Sequence, residues 1–523
     1  MAMRKDALDA PLLQITADDV FTVRDALQGV AVFGGIGSGK SSGSGKALAL
    51  AYLRAGMGGL VLVAKPEEVE QWREYCALTG RTNSLMVFDG KHQRFNFLAY
   101  ELTRLGDGGI NAVIECLMRI IEIAAAAGAS PGKAGEAFWE DTKRQVFRNC
   151  IPVIHAAFNT VTIDMILRFL RSAPRTPDEM TDPEWQRSAF FCECFLKAAG
   201  RIDDATGEQV VSYWKHDFAQ LDAKTRGNIV ISLTTTLDRF NHGWLKTAFC
   251  TDTNVVPDLC FEGVVIVLAM PALTHNEDGI IAQQLFKYLW QRAMLARNAL
   301  PARYRQRPVF LYADEAQYFV NSYDAEFLST CRGSRVAVVF LSQSLPTYYA
   351  KIGSDNAHDR AHHLLGNFAT RIWHNNACAE TNEWAAKTIG RGVQTRANFS
   401  AGEGTSSNRG MNMGEGTNWG SNSGSGSSSS YGKGGHSGGS SWNSGSSRGG
   451  SDNWGRNRGH GTSSNVSQGW SEQVDYLIEP GEFSRLLRTG GPANGNRVSA
   501  IWYQAGRSFR RSGNNMLLAE FQQ

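Results

Sequence analysis

Gly34-Gly-Ile-Gly-Ser-Gly-Lys-Ser41 satisfies every position of the pattern G-x-x-x-x-G-K-[ST]. The chemistry offered by that spacing is phosphate binding. Glycines let the backbone wrap an anion, and successive N–H groups at a helix start present partial positive charge to it. Lys40 has the reach for β- and γ-phosphate oxygens, and the Ser41 hydroxyl is a ligand type for Mg²⁺. Gly34, Gly35, Ile36, Gly37, Ser38, Gly39, Lys40, Ser41 and Ser42 are therefore the candidate nucleotide-binding residues, with ATP and Mg²⁺ as the expected cofactors. A second Gly-Ser-Gly-Lys at Gly43 to Lys46 is a decoy, because Lys40 and Ala47 stand where the pattern needs Gly and Ser or Thr.

A second constellation completes the first. Val309-Phe-Leu-Tyr-Ala-Asp314-Glu315 is an apolar strand that ends in two carboxylates. Asp314 suits the metal and its waters, and Glu315 suits the polarisation of an attacking water. The strand Val336 to Leu341 ends in Ser342-Gln343, where a polar tip can contact a γ-phosphate. Arg332 and Arg335 precede that strand, and either can serve as the arginine that a ring ATPase lends to its neighbour's transition state. Lys65 sits at another strand tip, where a site-facing role and a solvated role read equally well. Trp72 reads the same way.

These residues need a rigid frame. Short apolar, β-branched runs recur at Gly29 to Phe33, Leu60 to Val63, Leu85 to Phe88, Val264 to Ala269, Val309 to Tyr312, Val336 to Leu341 and Thr370 to Trp373, separated by helical patterns. Uniformly apolar strands between helices imply an α/β fold with a parallel sheet covered on both faces. Functional side chains then gather at the strand C-termini. Between Gly106 and Trp244 the strand signal fades. Apolar residues there take helical spacing, as in Ile114, Met118 and Ile121, which predicts an inserted all-α domain.

One composition shift dominates the rest. From Ser400 to Gly469 the chain is mostly Gly, Ser and Asn, too polar to offset its ordering entropy, and a disordered insertion is expected. It carries a near-repeat, Gly402-Glu-Gly-Thr405 and Gly414-Glu-Gly-Thr417. It also holds Trp419, Tyr431, Trp442, Trp454 and, at its edge, Trp470, with Arg409, Arg448, Arg456 and Arg458, a composition that suits stacking on single strands or a plain linker. Strand-like sequence resumes at Val474 to Ile478 and Val498 to Tyr503. The expected domains are 1–105 and 246–399 for the two parts of a motor domain, 106–245 for the helical insert, 400–471 for the tract, and 472–523 for the closing strands.

Bulk properties exclude several classes. Among 523 residues, 53 basic and 50 acidic side chains leave a net charge of +3, so any nucleic-acid surface must be local. Nine scattered cysteines lack a zinc spacing and read as buried thiols in a reducing compartment. Met1 to Gln14 has no apolar signal core, and the apolar stretch Ile110 to Ala127 is broken by Asn111, Glu115, Arg119 and Glu122. A cytoplasmic protein is expected.

The order of motifs resembles the type IV secretion coupling proteins, the TraG/TraD-like conjugative DNA-transfer ATPases of the FtsK/HerA superfamily. The resemblance is carried by Asp314-Glu315-Ala316-Gln317, by Cys331-Arg332 through Gln343-Ser344, and by Leu365-Gly366-Asn367-Phe368 with Glu380-Thr-Asn-Glu383. It closes with Asp475-Tyr-Leu-Ile-Glu-Pro480-Gly-Glu-Phe483. It implies a RecA-like motor with an inserted all-α domain, assembled as a homo-hexamer around a channel for DNA. Lys40 and Ser41 would bind nucleotide and Mg²⁺, with Asp314 and Glu315 as the Walker B pair. Gln343 would be the sensor and Arg332 the arginine finger. Relaxosome or secretion-channel proteins would be partners. Only Met1 to Phe33 precede the loop, whereas the family usually begins with transmembrane helices, so attachment to the inner membrane would come through a membrane-anchored partner. The family's acidic residue two positions before Lys65 is Val63 here. Related readings are a soluble FtsK/HerA-like pump in repair or anti-phage defence and a substrate-docking platform of a secretion system.

Overall fold

The computed structural model describes residues 8–127, 136–353, 356–410, 421–432, 435–446 and 457–523, with side chains left undescribed over 394–472. Strand β1 (Pro11–Gln14) pairs with β2 (Val20–Thr22) in an N-terminal hairpin whose composition gave no advance sign. The motor sheet then takes β3 (Val30–Phe33), β4 (Gly58–Leu62), β5 (Leu85–Phe88), β6 (Val265–Leu268), β7 (Val309–Ala313), β8 (Val336–Ser342) and β9 (Thr370–Trp373). All seven are parallel, running β9-β3-β8-β7-β4-β6-β5 across the sheet. Every residue of β3, β4, β6, β7 and β8 is buried, as a sheet covered on both faces requires.

The chain leaves this unit near Asn382 and returns at Gly481, so the Gly/Ser/Asn tract is an insertion. Described by itself, the inserted unit holds β10 (Arg391–Gly410), β11 (Ser421–Gly432), β12 (Gly435–Ser446) and β13 (Asn457–Tyr476), antiparallel in the order β10-β13-β12-β11. Gly and Ser backbones satisfy their N–H and C=O groups by pairing with one another, which needs no apolar face. The aromatic and arginine side chains of the tract lie outside the described residues. Back in the motor unit, β14 (Arg497–Gln504) and β15 (Met516–Gln522) close the sheet beside β9, both antiparallel to their neighbours. The sequence placed β14, but neither β15 nor its direction.

A helical region runs from the helix Phe97–Arg104 to the helix Gly243–Phe249, between β5 and β6. Asn96 caps the first of these helices by accepting the Ala99 N–H. Its own core is aromatic, with Phe169, Phe191 and Trp214 in mutual ring contact. It joins the motor through Glu101, fully buried and 3.1 Å from Arg292, and through Arg119, stacked over Tyr288 and Tyr323. Among the described residues no single helix is long and apolar enough to cross a membrane.

One buried polar cluster fixes the loop that follows β7. On the helix Ala272–Ala296, Gln284 donates to Tyr318 O, Lys287 to Phe319 O and Asp324, and Gln291 to Asp324 Oδ1. Their i, i+3, i+7 spacing puts all three on one helix face. Lys287 and Asp324 are both fully buried, so each charge depends on the other. Asp324→Asn should cost about 3–5 kcal/mol by stranding the Lys287 ammonium. The double variant Lys287→Met/Asp324→Leu should cost clearly less in urea unfolding. Equal losses would show that packing, not charge pairing, dominates.

Candidate functional site

The phosphate-binding loop leaves the C-terminal end of β3 and enters a π-helical turn, Ser41–Gly45, that runs into the helix Lys46–Arg54. The first turn is wider than an α-helical one. Gly39 has φ +82°, and a Cβ there would meet Val498 Cγ2 of β14 at 2.5 Å. Only glycine fits that combination of left-handed backbone and close approach. The closing strands thus form the floor of the loop.

The C-terminal ends of β7 and β8 bring the other residues to it. Lys40 Nζ lies 3.3 Å from Glu315 Oε1, with Lys40 8% and Glu315 4% exposed. Gln343 Nε2 donates to the same oxygen at 3.4 Å, and Gln317 Nε2 donates to Oε2 at 2.8 Å. Gln317 is in turn fixed by the Ser342 hydroxyl, which donates to its Oε1 at 2.7 Å. Lys65 Nζ, half exposed, stands 3.9 Å from Glu315 Oε1, so it does face the site despite Val63. Burial alone would raise the Glu315 carboxyl. The Lys40 ammonium and the donors from Gln317, Gln343 and Lys40 outweigh it and hold Glu315 below its ordinary value, ionised. Its backbone is left-handed, at φ +48° and ψ +48°, an uncommon state for a residue with a side chain that the surrounding contacts impose.

Ser41 Oγ donates to Asp314 Oδ2 at 2.5 Å. A hydroxyl and a carboxylate side by side are the hard oxygen donors Mg²⁺ prefers, so the residues present fit that ion. A second carboxylate lines the cleft beside Asp314, and the sequence reading missed it. Glu68, at the start of the helix Pro66–Leu78, is 7% exposed. Burial first, and then the Asp314 carboxylate, push it up to about 8. Trp72 lies beside it as core, stacked on Phe310 and edge-on to Tyr312.

Arg332 does not join this group. It precedes β8 whereas Gln343 follows it. The strand's seven residues separate them by roughly 20 Å at about 3.3 Å per residue. Arg332 is exposed and has no side-chain partner among the described residues. Arg335 donates to Gln306 O at 2.6 Å, which leaves Arg332 the freer of the two.

Behind the loop, His374 Nε2 is 2.7 Å from Ser44 Oγ, fully buried just beyond β9. No sequence signal marked it, since a lone histidine after a strand says nothing about what lies above it.

The loop, the paired carboxylates and the parallel sheet define a P-loop nucleotide-binding protein of RecA-like fold. No protein-family model matches the chain, and no curated protein sequence matches it. Solved structures do. The unbound bacterial conjugative coupling protein TrwBΔN70 is similar at a TM-score of 0.53 and 12% identity, over 99% of this chain and 90% of that one. Plasmid coupling protein TrwB with the ATP analogue ADPNP gives 0.53, 12%, 99% and 90%, and TrwB with ADP and Mg²⁺ gives 0.53, 13%, 99% and 91%. The chain has the fold of the conjugative coupling proteins.

Burial first, and then the Lys40 charge, hold His374 down at about 3. Below its ordinary value of 6.5 the unfolded chain takes up a proton that the native state refuses. Stability present above that pH is therefore lost as pH falls towards 3, by up to about 1.4 kcal/mol per pH unit from this group. His374→Gln, which keeps a partner for Ser44, should flatten the fall in urea midpoint between pH 7 and pH 5. An unchanged slope would assign the loss to other groups.

Proposed function

We propose that this chain hydrolyses ATP to move DNA, as a coupling-type motor that delivers DNA and its relaxosome to a type IV secretion channel. The observation that carries the hydrolytic part is the Glu315 carboxylate. It is buried, ionised and held by Lys40, Gln317 and Gln343 one residue beyond Asp314. The likeness to TrwB, a conjugative coupling protein solved with ADPNP and with ADP and Mg²⁺, supports the nucleotide, the metal and the conjugative setting.

The residues divide the work as follows. Backbone N–H groups of Gly34 to Ser42 hold the phosphates, and Lys40 turns from Glu315 to the β- and γ-phosphate oxygens. Ser41 and Asp314 hold Mg²⁺, which when bound neutralises charge on those phosphates. Glu315, released from Lys40, accepts a proton from the attacking water. The water oxygen bonds to the γ-phosphorus as the bond to the β-phosphate oxygen breaks, leaving ADP and phosphate. Gln343 touches Glu315 and carries the state of the site to β8. Arg332, exposed at the opposite end of that strand, serves the site of the next subunit, which calls for a closed ring, a homo-hexamer by resemblance to the coupling proteins. The motor works in the cytoplasm, at the inner membrane through a membrane-anchored partner.

Purified full-length protein should hydrolyse ATP several-fold faster with DNA present, and indifference to any DNA would sink the motor reading. Glu315→Gln should lower kcat about 10²–10⁴-fold with ATP affinity retained, whereas Lys40→Ala should lose binding. Arg332→Ala should lower kcat by about 10³-fold or more. Mixing it with Lys40→Ala subunits should restore turnover at shared interfaces. A mixture no more active than its parts rules out a finger acting between subunits.

A further inference from the structure

The helix Pro66–Leu78 starts just past β4, and its third residue turns back on the chain: Glu68 Oε2 accepts the Ala64 N–H at 2.8 Å. That contact is a helix cap and accounts for one carboxylate oxygen. The other, Oε1, is buried and meets no donor among the described residues. The side chain is only 7% exposed, so bulk water does not satisfy it. Capping does not explain it, because an amide at this position would accept the same N–H without burying a second acidic group near Asp314.

An unpaired carboxylate oxygen next to another carboxylate is costly unless something positive or strongly donating stands between them. The cleft lined by Glu68, Asp314, Ser41, Gln71 and Tyr75 has a volume of about 10 Å³, room for a single water. Mg²⁺ surrenders its waters reluctantly, and its site proteins commonly grip the ion through one or two carboxylates and the waters it keeps. We propose that Glu68 belongs to the metal site as an outer carboxylate, holding through one water the Mg²⁺ that Ser41 and Asp314 would bind. Glu68 is then a positioning residue, since it acts through the water and touches neither nucleotide nor metal. The assignment rests on the magnesium–nucleotide reading of Ser41 and Asp314.

The test is a Mn²⁺ titration of the full-length protein saturated with ADP, followed by the paramagnetic resonance signal of free Mn²⁺. Glu68→Gln should weaken Mn²⁺ binding about tenfold, a typical loss for an outer partner of a metal site. Its ADP affinity without metal should be unchanged, and its melting temperature without metal should not fall, because the amide keeps the Ala64 cap. Exposed Glu67→Gln should match the wild type. Mn²⁺ affinity within twofold of wild type in Glu68→Gln overturns the proposal. Glu68→Asp repeats the test independently of the first variant's folding: the shorter arm cannot serve both Ala64 and the water, and it too should weaken Mn²⁺ severalfold. Ser41→Ala separates the two readings. If it loses Mn²⁺ while Glu68→Gln does not, only the Glu68 assignment fails. If neither it nor the wild type binds Mn²⁺ differently from buffer, the metal reading fails and takes Glu68 with it.

Discussion

Lys40 and Glu315 are 275 residues apart in the chain, yet their side chains form an ion pair of 3.3 Å almost out of contact with water. Two charges withdrawn from water are tolerable only when geometry and extra hydrogen bonds compensate their desolvation. Here the compensation comes from Gln317 and Gln343, and Ser342 fixes Gln317 in its turn. The order β3-β8-β7 across the middle of the sheet exists to make that meeting possible. Parallel strands point their C-terminal ends the same way, so the loop after β3, the carboxylates after β7 and the glutamine after β8 converge without a long connection.

That pair sets demands on what surrounds it. The left-handed Glu315 backbone must be held, and the loop after β7 is held by Gln284, Lys287 and Gln291 on one helix face. The same helix carries Tyr288 and Arg292, which meet Arg119 and Glu101 of the helical insert. Glu122 of the insert accepts from Ser322 at 2.5 Å, within the loop itself. A continuous run of side-chain contacts therefore joins the loop after β7 to the helical insert. The opposite flank is equally fixed. β14 lies under Gly39, and His374 lies under Ser44, so the phosphate loop rests on residues from the far end of the chain.

The phosphate loop was legible because its function is local. Eight consecutive residues carry the glycines, the lysine and the hydroxyl, and backbone geometry does the rest. The Walker B strand, the parallel sheet and the Gln343 tip were legible for a related reason. A strand buried on both faces must be uniformly apolar, and polar residues at its end stand out. Arg332 was legible as an arginine before a strand, but its distance from Gln343 along β8 is a property of the sheet.

Glu68, His374, β15 and the direction of the closing strands were not legible. An acidic residue in the first turn of a helix ordinarily faces solvent and reads as a dipole partner. Trp72, Tyr75 and Tyr312 close over Glu68 only once β4 and β7 are neighbours. A histidine after an apolar strand carries no mark of the lysine above it. The amino-acid sequence alone determined which chemical groups are available and the local backbone that presents phosphate donors, because those depend on residues a few positions apart. The tertiary structure alone decided which groups lose their water and which charges face one another, because desolvation and Coulomb energy depend on distance in space, across separations of up to hundreds of residues.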